Sequence, residues 1–274
     1  MKLAKGIYSC QDVPVIIFDH GCTNPCLYCG LSNRLFTEET IIAAGLENIA
    51  TELVNFKGVY LSPTADCFLP QNAEPTHLLL EKMWKQKETF TPLVVTKQII
   101  PDKTIELFIK NKHRLVLQIS IPSTNEKIVS ILEPGSALVS KRLGMIKKLT
   151  DAGVPVIAVS MPWFNLDDDI NSLPRALAQV GITRTIIATG VLTNTQKQRM
   201  VNSGEEKIKA AALLIDNKTN NGYTLPLEEK ILMLKKITTA FIVANIKPVI
   251  CTADNHDLNG DELPLCIKFK HHNF

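Results

Sequence analysis

The chain has 274 residues, 45% hydrophobic and 21% charged, with a formal net charge of +3. This is ordinary globular composition with enough apolar mass for a large core, and a charge this small neither demands nor excludes a nucleic-acid partner. Residues 1–10 lack the apolar stretch of about 7–15 residues that a signal peptide needs, and no apolar run approaches the roughly 18–20 residues that cross a bilayer, so a soluble, cytoplasmic protein with no membrane partner is expected.

Along the chain, short β-branched runs alternate with helical periodicity. The first predicted strand covers 13–19, and Thr37 with Glu38 and Glu39 marks a helix start ahead of the stripe Ile42, Leu46, Ile49 and Leu53. Predicted strands follow at 58–62, 93–97 and 114–120. Val139, Leu143, Ile146 and Leu149 form the next helical stripe, and Gly153 stands where a left-handed residue would end it. A strand at 155–161 leads to Asp167, Asp168 and Asp169, which precede a helix around 170–180 and suit its dipole. After a last predicted strand at 185–189, Ser203 and Glu206 have capping-box spacing before Ile208, Ala211, Ala212 and Ile215, and Leu227, Ile231, Leu234 and Phe241 mark a final helix.

The strands carry little polar alternation, as expected where both faces are covered. Strand–helix units in this order imply a parallel sheet with right-handed crossovers. Six are too few for a closed eight-stranded barrel, so the expected fold class is α/β, an open partial (β/α)6 barrel with its chemistry at the carboxyl ends of the strands. Residues 1–190 are expected to form this core, and 191–274 a C-terminal extension covering the barrel.

Seven cysteines inside a cell are metal ligands, reactive thiols or buried hydrophobes rather than disulfides, and an odd number cannot pair completely. Cys22, Cys26 and Cys29 fall within eight residues, in the loop between the first predicted strand and the helix start at Thr37. Three soft thiolates so close can wrap one iron–sulfur cluster or a zinc ion. A structural zinc site or an inert four-iron cluster usually takes four protein ligands. Three ligands leave one metal position for something else, unless His20 or Cys67 completes a zinc site.

The Cys-x3-Cys-x2-Cys spacing after a first strand resembles the signature of the radical S-adenosylmethionine (SAM) superfamily. Ser62-Pro-Thr-Ala-Asp66, Val94-Val-Thr-Lys97, Gln118-Ile-Ser120 and Leu132-Glu-Pro-Gly135 with Lys141-Arg142 are similar to the spore photoproduct lyase-like branch, a likeness that covers roughly residues 15–165. The resemblance implies a [4Fe-4S] cluster on Cys22, Cys26 and Cys29, with SAM chelating the fourth iron and its reductive cleavage yielding a 5′-deoxyadenosyl radical for hydrogen abstraction. It further implies SAM contacts from Ser62, Thr64, Asp66, Lys97, Ser120 and Arg142, and an electron donor such as flavodoxin or ferredoxin. The repair enzyme's hydrogen-donating cysteine after the strand-two Ser is replaced here by Pro63, which weighs against thymine-dimer repair. Cys67, four residues on, is the candidate displaced hydrogen donor, or else a buried apolar thiol.

Cys10, Cys251 and Cys266, with His256, are candidates for an auxiliary metal site or ordinary thiols. Trp163 and Phe164 pack against adenine or substrate, or belong to the core, and His271 and His272 read as a frayed terminus. Three functional classes therefore stand: a hydrogen-abstracting radical SAM enzyme on an unknown substrate, a non-catalytic zinc module, and a cluster enzyme that transfers an aminocarboxypropyl group from SAM.

Overall fold

The computed structural model describes residues 1–5, 14–29, 40–62, 65–219 and 222–251. Its strands are β1 (Lys2–Ala4), β2 (Val15–Ile17), β3 (Ile41–Ala44), β4 (Tyr60–Leu61), β5 (Leu93–Thr96), β6 (Val116–Ser120), β7 (Val156–Ser160), β8 (Arg184–Ile187), β9 (Asn217–Thr219), β10 (Gly222–Thr224) and β11 (Lys247–Ile250). The helices are α1 (Leu46–Leu53), α2 (Pro70–Gln86), α3 (Asp102–Lys110), α4 (Glu126–Leu132), α5 (Val139–Asp151), α6 (Ser172–Gln179), α7 (Asn194–Val201), α8 (Glu206–Leu214) and α9 (Leu227–Val243). One sheet runs in the order β11-β8-β7-β6-β5-β4-β2-β1-β3, and β9 and β10 form a separate hairpin. From β2 through β8 to β11 each neighbouring pair is parallel, while β1 pairs antiparallel with both β2 and β3. The fold is the expected open partial barrel, with β11 adding a seventh parallel strand and β1 and β3 an antiparallel edge.

Side chains alternate across the parallel strands, which explains their lack of polar alternation. Val94, Leu117, Ile119, Ala158 and Ile187 join the core beneath the helices, against Leu79, Phe108, Ile146, Leu177 and Phe241. On the opposite face Leu93, Val116, Ile157, Val159 and Ile186 form an inner apolar lining together with half-buried Val95. A third cluster joins α4 to the segment beyond 190: Ile128 and Leu132 pack with Phe164, Leu192, Met200, Ile208 and Leu225, and Leu27 and Tyr28 lie against it.

Several local expectations change. Ile42 lies in β3, paired with β1, so the helix begins only after Gly45, whose φ is +79°. Thr37–Glu39 fall outside the described residues. Gly153 does end α5 in the left-handed region (φ +76°), with the Val154 N–H donating to Leu149 O at 2.9 Å. The capping box belongs to Thr193 and Gln196 on α7, whereas α8 follows Glu205 with no side-chain cap. Of the three aspartates, only Asp169 serves the start of α6, accepting from the Asn171 N–H at 2.9 Å and pairing with Arg175. Asp167 ties two loops by accepting from Ser123 Oγ (2.8 Å) and the Thr124 N–H (2.9 Å), and Asp168 pairs with Lys207 of α8. The segment beyond 190 supplies α7, α8, the β9–β10 hairpin and α9, and also β11, which extends the sheet itself. Among the described residues no helix is long and apolar enough to cross a membrane.

Candidate functional site

The cysteine loop leaves β2 through a turn in which Gly21 (φ +62°) donates to Phe18 O at 3.0 Å. It closes with the Cys29 N–H donating to Cys26 O at 3.1 Å. Cys22, Cys26 and Cys29 line one cleft at the carboxyl ends of the parallel strands, with Ser62, Asp66 and Lys97 on its other wall. Asn24, Ala65, Val95 and Thr96 complete the lining.

Each wall residue is held by the strand that delivers it. Ser62 follows β4 in the left-handed region (φ +78°), and its Oγ accepts from the Cys67 N–H at 2.9 Å. Asp66 accepts from the Lys97 N–H (2.6 Å), the Phe68 N–H (2.9 Å) and Thr96 Oγ (2.8 Å), which binds the turn after β4 to the end of β5. Burial outweighs these donors and raises the Asp66 carboxyl above its ordinary value. The Lys97 ammonium lies 3.9 Å from Glu133 and 5.7 Å over the Tyr28 ring. Burial alone would lower it, but the charges of Glu133, Cys26 and Asp66 prevail and hold it raised. Burial also pushes the Cys26 thiol up to about 12, partly offset by Lys97, so ligation has to displace a proton.

Glu133 is the hub beneath this wall. Fully buried, it accepts from the Tyr28 hydroxyl and pairs with Arg142 at 2.8 Å. The Leu27 N–H donates to Leu132 O at 2.9 Å, so the cysteine loop is anchored at the end of α4. Gly135 lets the loop approach closely: a Cβ there would stand 2.8 Å from Asn24 Oδ1.

The structure thus brings Cys22, Cys26, Cys29, Ser62, Asp66 and Lys97 together, whereas Ser120, Arg142 and Cys67 do not line the cleft. Arg142 is fully buried and does not line the cleft. Four of the five guanidinium N–H groups are engaged, by Ala137 O (2.7 Å), Ser120 O (2.7 Å), Glu133 (2.8 Å) and Ser136 Oγ (2.8 Å). Ser120 is buried beside it and likewise absent from the lining. Cys67 packs in the core with Sγ 4.0 Å from Val95 O, and burial raises its thiol well above the ordinary value. Thr64, Pro63, Cys10, His256, Cys266, His271 and His272 lie outside the described residues. Cys251 is buried against β8, its N–H donating to Ile187 O at 2.8 Å. Trp163 and Phe164 are both core residues.

Sequence reasoning passed over Asn24, Thr96 and Glu133. Asn24 stood inside the cysteine motif, and Glu133 inside the Glu-Pro-Gly run, but a hydrogen-bond hub formed by residues 105 positions apart has no local signal.

The three thiols that line the cleft are soft donors of the kind an iron–sulfur cluster takes. Among the described residues no three His, Cys, Asp or Glu side chains gather closely enough to hold one metal ion. Zinc draws its ligands around one point at about 2.0–2.3 Å, whereas cluster thiolates bind different irons of a larger body. Cys67 is buried in the core and His20 is exposed, and neither lines the cleft that holds the three cysteines.

Fold and cleft together define an open α/β partial barrel with a cysteine-lined cleft at the carboxyl ends of its parallel strands. No family model matches the sequence. An uncharacterised protein of Acidianus two-tailed virus, ORF301, is 29% identical over 133 residues, covering 46% of this chain and only 44% of that relative. Among solved structures, a cysteine-to-serine mutant of spore photoproduct lyase superposes with a TM-score of 0.64 at 14% identity, over 91% of this chain and 78% of that one. A double mutant of the lyase with bound AdoMet and dinucleoside spore photoproduct gives 0.59 at 14% identity, over 84% and 73%. SuiB of Streptococcus suis bound to S-adenosylmethionine gives 0.56 at 16% identity, over 85% and 49%. At these identities the likeness is one of fold.

Proposed function

We propose that this protein is a radical SAM enzyme in which Cys22, Cys26 and Cys29 hold a [4Fe-4S] cluster and the adjoining cleft takes S-adenosylmethionine. The observation that carries this reading is the convergence of the three thiols with Ser62, Asp66 and Lys97 in one cleft at the carboxyl ends of the strands. Spore photoproduct lyase and SuiB, whose structures with SAM share the fold, support it. When bound, the cluster and SAM would supply a 5′-deoxyadenosyl radical for hydrogen abstraction.

The chain's own residues bind, orient and shield. Lys97, steadied by Glu133 and Tyr28, offers its ammonium to the SAM carboxylate, a charge-assisted contact of about 1.5–3 kcal/mol. Ser62 and Asp66 present oxygens for the methionyl amino group. The apolar inner face, with Leu93 and Val159, keeps water from the reacting region. An external one-electron donor such as flavodoxin or ferredoxin is the partner, and an organic molecule with an abstractable hydrogen is the substrate.

The test is anaerobic reconstitution followed by iron analysis, electron paramagnetic resonance and product analysis with dithionite. Wild type should carry four irons of a cluster and form 5′-deoxyadenosine, and Cys26→Ala should lose both. Full SAM cleavage by that variant, or a colourless zinc-loaded wild type, overturns the reading. Methylthioadenosine as the product replaces hydrogen abstraction with aminocarboxypropyl transfer.

A further inference from the structure

We infer that Gln196 and Arg199, on α7 of the segment beyond residue 190, are positioning residues for the cluster: they clamp the cysteine loop from above, and the Arg199 charge raises the cluster's reduction potential. This rests on the reading of Cys22, Cys26 and Cys29 as cluster ligands.

Two hydrogen bonds carry the inference, each reaching across some 170 positions of sequence. Gln196 Nε2 donates to Tyr28 O at 2.8 Å, and an Arg199 terminal nitrogen donates to Cys29 O at 3.1 Å. The two acceptors are consecutive carbonyls, one of them belonging to a proposed ligand. Gln196 is buried and its geometry is fixed twice over, because the same side chain closes the capping box with Thr193. Three positions on, Arg199 follows on the same helix face. The apolar contacts agree: Met200, Ile208 and Leu192 of this segment form one cluster with Leu132, against which Leu27 and Tyr28 pack. The loop is therefore gripped on two sides, by Leu132 and Glu133 of the barrel and by Gln196 and Arg199 of α7.

The consequence is electrostatic as well as mechanical. Reduction adds a negative charge to a cluster, and a guanidinium bonded to the peptide of a ligating cysteine stabilises the reduced form more than the oxidised one. Lys97, which lines the same cleft as the three cysteines, adds a second positive charge.

The experiment measures iron content and midpoint potential, by redox titration followed with electron paramagnetic resonance, in the reconstituted full chain. Arg199→Gln keeps a hydrogen-bond donor and removes the charge. It should retain the cluster but shift its reduction equilibrium about tenfold towards the oxidised form, about 59 mV for one electron. Arg199→Lys should restore the wild-type midpoint, which a merely structural residue would not do. Gln196→Ala should hold the cluster more loosely, losing iron to a chelator several-fold faster. If Arg199→Gln does not fold, the lysine variant decides, since it must match wild type in potential. An unchanged midpoint in Arg199→Gln, or a lysine variant that folds with a lowered midpoint, overturns the inference while leaving the cluster assignment intact. Wild type that takes up no cluster overturns the functional reading itself, and this inference with it.

Discussion

Arg142→Met decides whether this arginine supports the site or touches the cofactor. The side chain is fully buried, and its four hydrogen bonds join Ser120, Glu133, Ser136 and Ala137. Methionine has comparable length and returns some apolar packing, but it leaves the Glu133 carboxylate without its closest cation and two buried carbonyls without their donor. Breaking one side of a buried ion pair typically costs about 3–5 kcal/mol. With a urea slope near the upper end of about 1–3 kcal/mol/M, the midpoint should fall by about 1–2 M. The measurement is urea unfolding of the cluster-free protein, followed by circular dichroism. Arg142→Lys should recover only part of the loss, because an ammonium cannot match the planar fork that meets all four partners. Adding Glu133→Gln to Arg142→Met should cost less than the sum of the single changes, since it removes the stranded charge. The reasoning is refuted if Arg142→Met unfolds within about 1 kcal/mol of wild type and yet no longer binds SAM, for then the guanidinium serves the ligand and not the fold.

Two further outcomes follow from the same geometry. Cys67→Ala should leave SAM cleavage intact and cost about 1 kcal/mol of stability, the usual effect of a small buried truncation; loss of substrate product with SAM cleavage preserved would instead make the thiol a hydrogen donor. Gly135→Ala should cost about 1–2 kcal/mol, through its φ of +78° and the clash with Asn24 Oδ1. Because Asn24 lies inside the cysteine loop, the same variant should release iron to a chelator faster than wild type, and an unchanged rate would uncouple the loop from residue 135.

What the sequence disclosed is what repeats along it or sits close together in it. The parallel strands announce themselves by apolar runs because helices cover one face and the inner lining the other. The cysteine spacing is a local pattern, and so is the helix of Val139, Leu143 and Ile146 closed by Gly153. The edge strands were missed: β1 has three residues and β3 four, too few to show a period, and Ile42 at the start of β3 mimics the stripe of α1. Ser203 and Glu206 have the spacing of a capping box, yet Thr193 and Gln196 form it, because α8 starts at Glu206 and puts Glu205 rather than Ser203 at its cap. The partners of Arg142 were illegible for a related reason: a cation in a motif suggests a ligand to an anion, and the carbonyls it bonds, contributed by strand and loop, carry no local signal.

The stitching of the loop to Gln196 and Arg199 bears on the order in which the molecule can mature. During synthesis Cys22, Cys26 and Cys29 emerge from the ribosome well ahead of α7, and until that helix has followed them the Tyr28 and Cys29 carbonyls lack the partners that hold them in the finished protein. If the loop holds a cluster as proposed, iron delivered to the nascent chain would meet a half-fastened loop, and loading would be favoured once translation has passed the helix.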